Sequence, residues 1–392
     1  MTGEIDMGSA DEVLDKVRAL APEIRARAAE AETLRRIPPD LVAKLKAAGV
    51  FRMYAPHSHG GLELDFPEGL KVIAEVARAD GSAGWTVMIG SASALILSRM
   101  PRPTFDGIFA AHGPDMIQAG LAGAPRGRAE RVEGGYRVSG EWPFSSGCEH
   151  ADFIIGACIV TEAGQPLQGP IEGGPPLVRI VGLPASDWTI QDTWTVAGLK
   201  GTGSHTTVLK DVFVPEEQTM ELAGPTCLSG ALYAGLGPWI PLMHGAVAVG
   251  MARGMIDDLV AAAQTGRRQL FARAAMQESP IYQYELGALE AETAAAEALL
   301  RDRAGLQWGR AQRGELGPAS QPDSMLAGLW ATHAAVRVCD AGFTLAGASA
   351  LYEASPIQRR MRDMNAAAQH AVVQKQNYQG LGGALLGPPP GA

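Results

Sequence analysis

The stretch GEWPFSSGCEHAD at residues 140–152 places two kinds of side chain next to each other. Trp142 and Phe144 flank a proline, which fixes the backbone and removes a donor, and Ser145 and Ser146 follow directly. A flat ring system such as an isoalloxazine needs an apolar surface against its face and hydroxyl or amide groups along its polar edge. This stretch can supply both. The alternative is a strand end whose tryptophan packs into the core and whose serines lie in the next turn.

A second candidate is the glycine-rich turn GLKGTGS at residues 198–204, which comes shortly after Trp194. Thr202 and Ser204 offer hydroxyls, and the glycines leave backbone N–H groups accessible. This combination suits contact with a phosphate or with the edge of a ring. The alternative is an ordinary β-turn.

The third candidate is RRMRDMNAAAQH at residues 359–370. We expect Arg360, Arg362 and Asp363 to form a local ion network. His370 lies among alanines and valines, where a histidine can transfer a proton near neutral pH. A buried histidine with satisfied hydrogen bonds is the alternative.

Three successive regions of the chain must position these candidates: a helical region, a β-rich region and a second helical region. Apolar residues recur at helical spacing near the start of the chain, and β-rich segments broken by Gly, Pro and Asp begin near residue 115. Four long Ala-rich helical stretches then predict an antiparallel bundle at about 238–264, 276–313, 322–348 and 356–380. Because helices and strands segregate, we predict an α+β fold. Its predicted domains are helical (1–114), an antiparallel β-barrel or sandwich (115–218) and a four-helix bundle (219–392).

The totals exclude several other classes of protein. The 392 residues carry a net charge of −9 without a basic stripe, so we expect neither nucleic-acid nor membrane partners. The four cysteines are scattered, which predicts no metal site, no disulfide framework and a reducing cytoplasmic location. Since no GxGxxG motif follows a strand and no P-loop is present, we expect no nucleotide-binding fold of those two kinds.

Several motifs in this order resemble one protein family. They are ADGSAGW at 79–85, GEWPFSSGCEHADF at 140–153, the GLKGTGS turn, VFVP at 212–215 and RDMNAAAQH at 362–370. Together they resemble the acyl-CoA dehydrogenase superfamily, and more closely its group D two-component flavin monooxygenases, over essentially the whole chain. The resemblance implies an N-terminal helical domain, a central β domain and a C-terminal bundle, usually in a homotetramer.

The resemblance also implies a flavin site. It places the flavin ring near Trp194 and along the side chains of Trp142, Phe144, Ser145 and Ser146. Thr202 and Ser204 are expected to contact the cofactor or its phosphate. Arg267 and Arg268 lie where the superfamily sends arginine to a neighbouring subunit's flavin. A solvated helix face is the alternative for these two arginines.

The superfamily divides into dehydrogenases and monooxygenases. A dehydrogenase needs a carboxylate base at the substrate, which the family places about eight residues beyond the Arg-Asp pair or, in a minority, on the first bundle helix. Gln369-His370-Ala371 occupies the first position, and no acidic residue lies between Glu221 and Asp257, where His244 stands near the expected place. Both positions lack a carboxylate, which argues against acyl-CoA oxidation.

A monooxygenase of this kind forms a C4a-hydroperoxide on reduced flavin and must shield it from water. The resemblance assigns the contact with flavin N5–H to Ser146 or Ser145, and the organisation of the hydroperoxide to His370. Trp85, Met88, Trp239 and Met243 would form apolar walls that exclude water from the site. The alternative for these four side chains is plain core packing. The predicted substrate pocket consists of Trp85, Met88, Ser93, Trp239, Met243 and His244.

Related phenol hydroxylases carry a histidine about eight residues after the helix tryptophan, where this chain has Ser93. A less acidic aromatic, or a nitrogen- or sulfur-containing compound, therefore fits as the small organic substrate. We expect reduced FMN, with FAD possible, to be delivered by a separate NAD(P)H:flavin reductase, and O₂ to be the co-substrate. Two alternatives are a dehydrogenase with an unusual base and a non-catalytic scaffold without flavin.

Overall fold

The computed structural model describes residues 9–171, 173–269 and 272–387, in which helices precede and follow a nine-stranded sheet. The first helices are α1 (Ala10–Ala26), α2 (Ala28–Leu34), α3 (Pro39–Ala48), α4 (Phe66–Ala79), α5 (Gly81–Ser91), α6 (Ser93–Leu97) and α7 (Arg102–His112). The strands are β1 (Gln118–Leu121), β2 (Gly127–Val132), β3 (Gly135–Trp142), β4 (Phe153–Glu162), β5 (Gln165–Pro166), β6 (Val178–Pro184), β7 (Thr189–Gln191), β8 (Thr206–Pro215) and β9 (Thr219–Met220). The last helices are α8 (Ala231–Ala234), α9 (Leu236–Gln264), α10 (Pro280–Gln312), α11 (Ser320–Ala346), α12 (Pro356–Ala367) and α13 (Tyr378–Leu386).

The predicted fold class is confirmed by this order of elements. The four long helical stretches correspond to α9, α10, α11 and α12, of which only α12 is clearly shorter than predicted, because the chain turns at His370. Proline begins both α10 and α12, where its missing N–H costs no hydrogen bond. The predicted domain boundaries, near residues 114 and 218, stay a prediction.

The sheet is mixed, whereas the sequence predicted antiparallel strands only. Its order is β7-β8-β3-β2-β4-β6-β9, and β4 pairs in parallel with both β1 and β2. The reason is the connection between β3 and β4, where residues 143–152 leave the sheet instead of forming a hairpin. The chain returns beside β2 rather than β3, and so runs in the direction of β2. This excursion contains the PFSSG stretch.

Helix α9 lies at the centre of the bundle and packs against α4, α10, α11 and α12. Small residues allow the close approach, because a Cβ on Gly328 of α11 would lie 2.3 Å from the carbonyl oxygen of Pro241 in α9. Residues Ser320–Leu351 are long and apolar enough, by length and composition alone, to cross a membrane. The apolar character of α11 is accounted for by its packing against α9 and α10.

The glycine-rich turn before β8 is fixed against α12. A Cβ on Gly198 would lie 2.2 Å from the carbonyl oxygen of Arg362, so only glycine fits. The next residue, Leu199, has φ 53° and donates its backbone N–H to Oδ1 of Asp363 at 2.6 Å. The bundle therefore sets the position of a turn that belongs to the sheet.

We predict that Gly198→Ala destabilises the protein, because the added methyl group meets backbone atoms that cannot move aside. Overpacking of this kind costs about 1–3 kcal/mol, which urea unfolding would measure. The matched control is Gly305→Ala on α10, where a Cβ meets nothing within 4 Å and which should stabilise the helix by about 0.5–1 kcal/mol. Equal effects of the two substitutions would contradict the tight docking of the turn.

Candidate active site

The two aromatic residues around Pro143 point to different places. Trp142 is fully buried in the core of the sheet, where its indole N–H donates to the carbonyl oxygen of Ala157 at 2.8 Å. Phe144 is 62% exposed, has φ 63°, and meets the ring of Trp194 edge to face with 6.0 Å between centroids. The surface that the sequence predicted therefore consists of Phe144 and Trp194, and the side chain of Trp142 lies behind it.

Glycines make room for Trp142. A Cβ on Gly127, Gly140 or Gly156 would lie 2.2 to 2.7 Å from an atom of the indole ring. The three glycines come from β2, β3 and β4, so the ring is enclosed by neighbouring strands. This placement corrects the expectation that the Trp142 side chain runs along the cofactor ring, since the indole is a packing element that fixes where β3 ends.

The two serines also differ in what they contact. The hydroxyl of Ser145 is buried within the sheet, bonded to the carbonyl oxygen of Trp142 at 3.1 Å and to Thr207 Oγ1 at 2.9 Å. Ser146 Oγ faces the helices and accepts a hydrogen bond from the indole N–H of Trp85 in α5 at 3.0 Å. Of the two, Ser146 is the serine that lies between the sheet and the helices.

Ser146, Ser204 and Thr202 form a chain of hydroxyls whose direction is determined by its end. Thr202 Oγ1 donates to the carbonyl oxygen of Leu199 at 2.8 Å, since a carbonyl can only accept. Each hydroxyl has a single proton, so Ser204 donates to Thr202 at 2.7 Å and Ser146 donates to Ser204 at 2.8 Å. The proton of Ser146 is thereby committed, and its remaining lone pair can only accept.

His244 and His370 form a pair of imidazoles beside Trp85. Their ring centroids are 4.3 Å apart, and the Trp85 ring meets both edge to face, at 5.3 Å for His244 and 5.7 Å for His370. The pair joins α9 to the turn after α12, and this turn packs against α9 and α11. The sequence predicted a role for each histidine and did not predict that they would be neighbours.

The backbone assigns a proton to one nitrogen in each ring. His244 Nδ1 lies 2.9 Å from the carbonyl oxygen of Ile240, so Nδ1 carries the proton and Nε2 carries a lone pair. The backbone N–H of Val372 donates to His370 Nδ1 at 3.3 Å, so Nε2 of His370 carries the proton. The pair therefore presents one acceptor and one donor nitrogen in its neutral form.

Burial keeps both histidines neutral. It lowers the pKa of His244 to about 4. Burial, reinforced by the neighbouring His244, lowers the pKa of His370 to about 3. A cation on either ring would lose its hydration without gaining a carboxylate partner. Near neutral pH the pair can therefore donate and accept hydrogen bonds, but neither ring carries a positive charge.

The remaining pocket residues lie in the core of the helical region. Met88 and Met243 are buried in α5 and α9, and Trp239 stacks on Phe66 with 4.2 Å between centroids. The Ser93 hydroxyl lies 2.5 Å from the carbonyl oxygen of Gly90 and accepts from a backbone N–H. Trp239 and Ser93 thus make structural contacts. For Trp239, this agrees with the alternative interpretation, which was core packing.

Arg267 and Arg268 lie in the loop after α9, with Arg268 exposed. The helix between His244 and Gln264 accounts for about 30 Å at 1.5 Å per residue. Within one chain these arginines are therefore far from the histidine pair. Their contact with the flavin phosphate of a neighbouring subunit stays a prediction.

The charged residues of α12 do not pair with each other, which corrects the expected local ion network. Arg360 bonds Asp258 at 2.5 Å and Arg362 bonds Glu32 at 2.9 Å, while Asp363 accepts from the backbone as described above. Each reaches a different element, namely α9, α2 and the glycine-rich turn. The sequence pattern identified the charges but contains no signal for these distant partners.

One residue that sequence reasoning missed holds the loop of Trp194. His205 is buried, and its Nδ1 accepts from the backbone N–H groups of Thr193 and Trp194, each at 3.2 Å. Its Nε2 lies 3.5 Å from a carboxylate oxygen of Glu149. A histidine directly after the GLKGTGS turn was visible in the sequence, but nothing in the local pattern indicated its partners.

Neither of two surface grooves in the described part of the chain contains a predicted site residue. One, of about 560 Å³, is lined by strand residues that include Arg128 and Lys210, and the other, of about 360 Å³, lies between α7 and the sheet. The candidate site is instead the contact region of Ser146, Trp85 and the histidine pair, with Phe144 and Trp194 on the adjoining surface. Among the described residues no group of three His, Cys, Asp or Glu side chains could hold a metal ion.

Comparisons with known proteins agree with the fold and the motifs. The family model described as "Acyl-CoA dehydrogenase, N-terminal domain" matches residues 9–100, and the model described as "Acyl-CoA dehydrogenase, C-terminal domain" matches residues 242–375. The chain belongs to the acyl-CoA dehydrogenase family. Since its curated relatives are oxygenases, it belongs within that family to the flavin-dependent monooxygenase oxygenase components.

Two of these relatives are similar over nearly the whole chain. Indole-3-acetate monooxygenase of Pseudomonas putida is 32% identical, over 93% of this chain and 91% of the relative. The oxygenase component of the FADH(2)-dependent resorcinol hydroxylase of Rhizobium sp. is 31% identical, over 91% of this chain and 90% of the relative. The predicted resemblance is thereby confirmed.

Solved structures extend the similarity to three dimensions. The 3-HSA hydroxylase from Rhodococcus sp. RHA1 has a TM-score of 0.87 and 29% identity, with 96% of this chain and 97% of that chain covered. XiaF from Streptomyces sp., solved in complex with FADH2 and glycerol, has a TM-score of 0.86 and 26% identity, with 98% and 97% covered. These structures have the helix–sheet–helix arrangement that positions the candidate site here.

The neutral histidines predict a loss of stability in acid. In the unfolded chain they bind protons as the pH falls through about 6.5, whereas in the folded protein they stay neutral down to about pH 4 for His244 and about 3 for His370. Their contribution is therefore complete above pH 6.5 and decreases as the pH falls from there toward 4 and then 3. Urea unfolding at pH 8 and pH 5 should give a lower free energy at pH 5.

The double variant His244→Phe/His370→Phe should lose less stability between these two pH values than the native protein loses. Some loss should remain, because burial also lowers the pKa of His150 to about 4. The control is His57→Phe, on an exposed side chain. A double variant with an unchanged pH dependence would contradict the assignment of neutral rings.

Proposed function

We propose that this protein is the oxygenase component of a two-component system that transfers one oxygen atom of O₂ to a small aromatic or heteroaromatic substrate. The observation that supports it best is an acceptor-only serine, Ser146, that is joined through Trp85 to a neutral histidine pair. Reduced flavin, when bound, would supply the electrons that activate O₂, and O₂ itself would supply the oxygen atom that is transferred, its second atom leaving as water. FMN and FAD both fit the proposal; the resorcinol hydroxylase is FADH(2)-dependent, and XiaF was solved with FADH2.

Ser146 and the aromatic pair would hold the flavin. The exposed ring of Phe144 and the partly exposed ring of Trp194 offer an apolar surface for the face of the flavin ring. Ser146, whose proton is committed to Ser204, would accept a hydrogen bond from the N5–H of the ring. Only the reduced form carries that proton, so the hydroxyl chain would favour reduced over oxidised flavin. Thr202 and Ser204 would then act through the orientation of Ser146 rather than through a phosphate contact.

His370 would donate from Nε2 toward the reacting oxygen. Its orientation is fixed by the hydrogen bond from Val372 and by packing against His244 and Trp85. A neutral donor can stabilise a developing negative charge without adding a full positive charge to an apolar site. Trp85, Met88 and Met243 would exclude water from the same region.

A separate NAD(P)H:flavin reductase would supply the reduced flavin, as the words "oxygenase subunit" and "oxygenase component" indicate for the relatives. A homotetramer would bring Arg267 and Arg268 of one copy to the flavin phosphate of another. A cytoplasmic location is supported by the four free cysteines, three of them buried.

An acyl-CoA dehydrogenase is less well supported. Its base would be a carboxylate beside the substrate, whereas the contacts of His244 and His370 given above are to Trp85, to backbone atoms and to each other. Asp363 is the nearest acidic residue in sequence to His370, and it is committed to the turn at Leu199. A non-catalytic scaffold gives no reason for two buried polar histidines in contact.

Ser146→Ala should weaken the binding of reduced FMN by about two- to twelvefold, since one hydrogen bond contributes about 0.5–1.5 kcal/mol. The binding of oxidised FMN should stay nearly unchanged. Anaerobic fluorescence titrations with both redox forms would measure this. The matched control is Ser145→Ala, which removes a hydroxyl inside the sheet. If both forms lose affinity equally, or if Ser145→Ala has the same selective effect, Ser146 does not contact N5–H.

His370→Asn should divert the reaction from substrate oxygenation to hydrogen peroxide. The ratio of peroxide formed to NADH consumed, with a reductase present, is expected to rise several-fold, because the donor that positions the oxygen is lost. His112→Asn on α7, whose ring packs against Phe153, is the control. An unchanged peroxide ratio would remove His370 from the reaction.

A further inference from the structure

His244 carries a buried polar atom without a partner. The residue is only 6% exposed, and its Nε2 has no hydrogen-bond partner among the described residues. An unsatisfied buried nitrogen costs about 1–3 kcal/mol, and most buried polar side chains avoid this cost. The atom lies on the ring that contacts both Trp85 and His370. Its position beside the candidate site suggests a ligand rather than a packing defect.

The other polar groups of the predicted substrate pocket are already engaged. The indole N–H of Trp85 donates to Ser146 at 3.0 Å, and that of Trp239 donates to the carbonyl oxygen of Leu232 at 2.8 Å. The Ser93 hydroxyl bonds the backbone at Gly90, Met116 and Gln118. His244 Nε2 is therefore the polar atom of this pocket that can still receive a substrate.

The chemistry of this atom is fixed by the rest of the ring. Because Nδ1 donates to Ile240, Nε2 has a lone pair directed away from its own helix backbone. Burial lowers the pKa of His244 to about 4, so taking up a full proton is unfavourable near neutral pH. The atom can accept a hydrogen bond, but it is too weakly basic to be protonated near neutral pH. A neutral N–H or O–H donor satisfies it, and an anion does not.

We propose that His244 is the specificity-determining residue of the site and that its Nε2 accepts a hydrogen bond from a neutral ring N–H or O–H of the aromatic substrate. This inference rests on the proposed function and narrows its substrate class. Aromatic compounds with an N–H, or with an undissociated hydroxyl, fit. Phenolates and sulfur heteroaromatics without a donor leave the lone pair unsatisfied. His370 Nε2–H, on the neighbouring ring, remains directed to the reacting oxygen.

Two probes of nearly equal shape test the inference. Indole carries an N–H where benzothiophene carries sulfur, so the ratio of their Kd values isolates the donor from the ring. Calorimetric titrations in the presence of saturating FMN would give this ratio for the native protein and for His244→Phe. Because one hydrogen bond is lost, we expect His244→Phe to shift the ratio about two- to twelvefold against indole.

Two further variants separate recognition from a general effect on folding. His244→Gln places an amide oxygen near the position of Nε2 and should restore part of the preference for indole. His112→Phe, outside the site, should leave the ratio unchanged. If His244→Phe has the native ratio, or if the native protein binds no aromatic N–H or O–H donor, the inference is overturned.

The failure of this inference differs from a failure of the proposed function. With a reductase, NADH and ¹⁸O₂, the proposed function requires incorporation of labelled oxygen into an aromatic compound. If label is incorporated but donors and non-donors are used equally, and His244→Phe changes nothing, His244 does not select the substrate. If no aromatic compound is labelled while indole still binds through His244, the binding assignment holds and the oxygenase function fails.

Discussion

The hydrogen bond from the Leu199 N–H to the Asp363 carboxylate joins the sheet to the bundle, and the candidate site depends on it. Asp363 is buried in α12, and burial together with the nearby Asp80 raises its pKa. The Leu199 N–H holds one of its oxygens in place. Leu199 is in turn the residue whose carbonyl oxygen ends the hydroxyl chain. A carboxylate on one domain thus fixes the turn that orients the serine of another.

The same region shows how an apolar environment selects neutral chemistry. Trp85 connects the two halves of the site, because its N–H reaches Ser146 and its ring contacts both histidines. The positive charges on α12 are directed elsewhere, to carboxylates on α2 and α9. What remains at the centre is a set of hydrogen-bond donors and acceptors of defined direction. Such a set can hold a neutral ring and a reduced cofactor without the cost of burying an unpaired charge.

Much of the fold was predictable because its signals are local. The four bundle helices, the order of helices and strands, and the family motifs all lie in continuous stretches of sequence. The strand order was not predictable in this way, because β4 pairs in parallel with β2 only after a long excursion of the chain. The position of Trp142 also depends on three glycines from three strands. The alternative of a core tryptophan, weighed from the residues alone, describes its side chain correctly.

For the candidate site, the sequence identified most of the residues but not the residues that they contact. His244 and His370 were each noted, yet their contact depends on how α9 passes the turn after α12. Ser145 and Ser146 were equivalent in sequence, and only the direction of their hydroxyls separates them. Asp363 was expected to bond a neighbouring arginine, whereas tertiary packing gave it a backbone N–H. These are long-range contacts, and periodicity carries no information about them.

The central claim is that this site uses reduced flavin to activate oxygen. The most direct test is rapid mixing of the protein, loaded anaerobically with reduced FMN, with oxygenated buffer while the flavin absorbance is followed. The account predicts a transient species that precedes oxidised flavin, and that decays with transfer of oxygen when an aromatic substrate is present. Formation of oxidised flavin in a single step, with one equivalent of hydrogen peroxide and no transient, would contradict it.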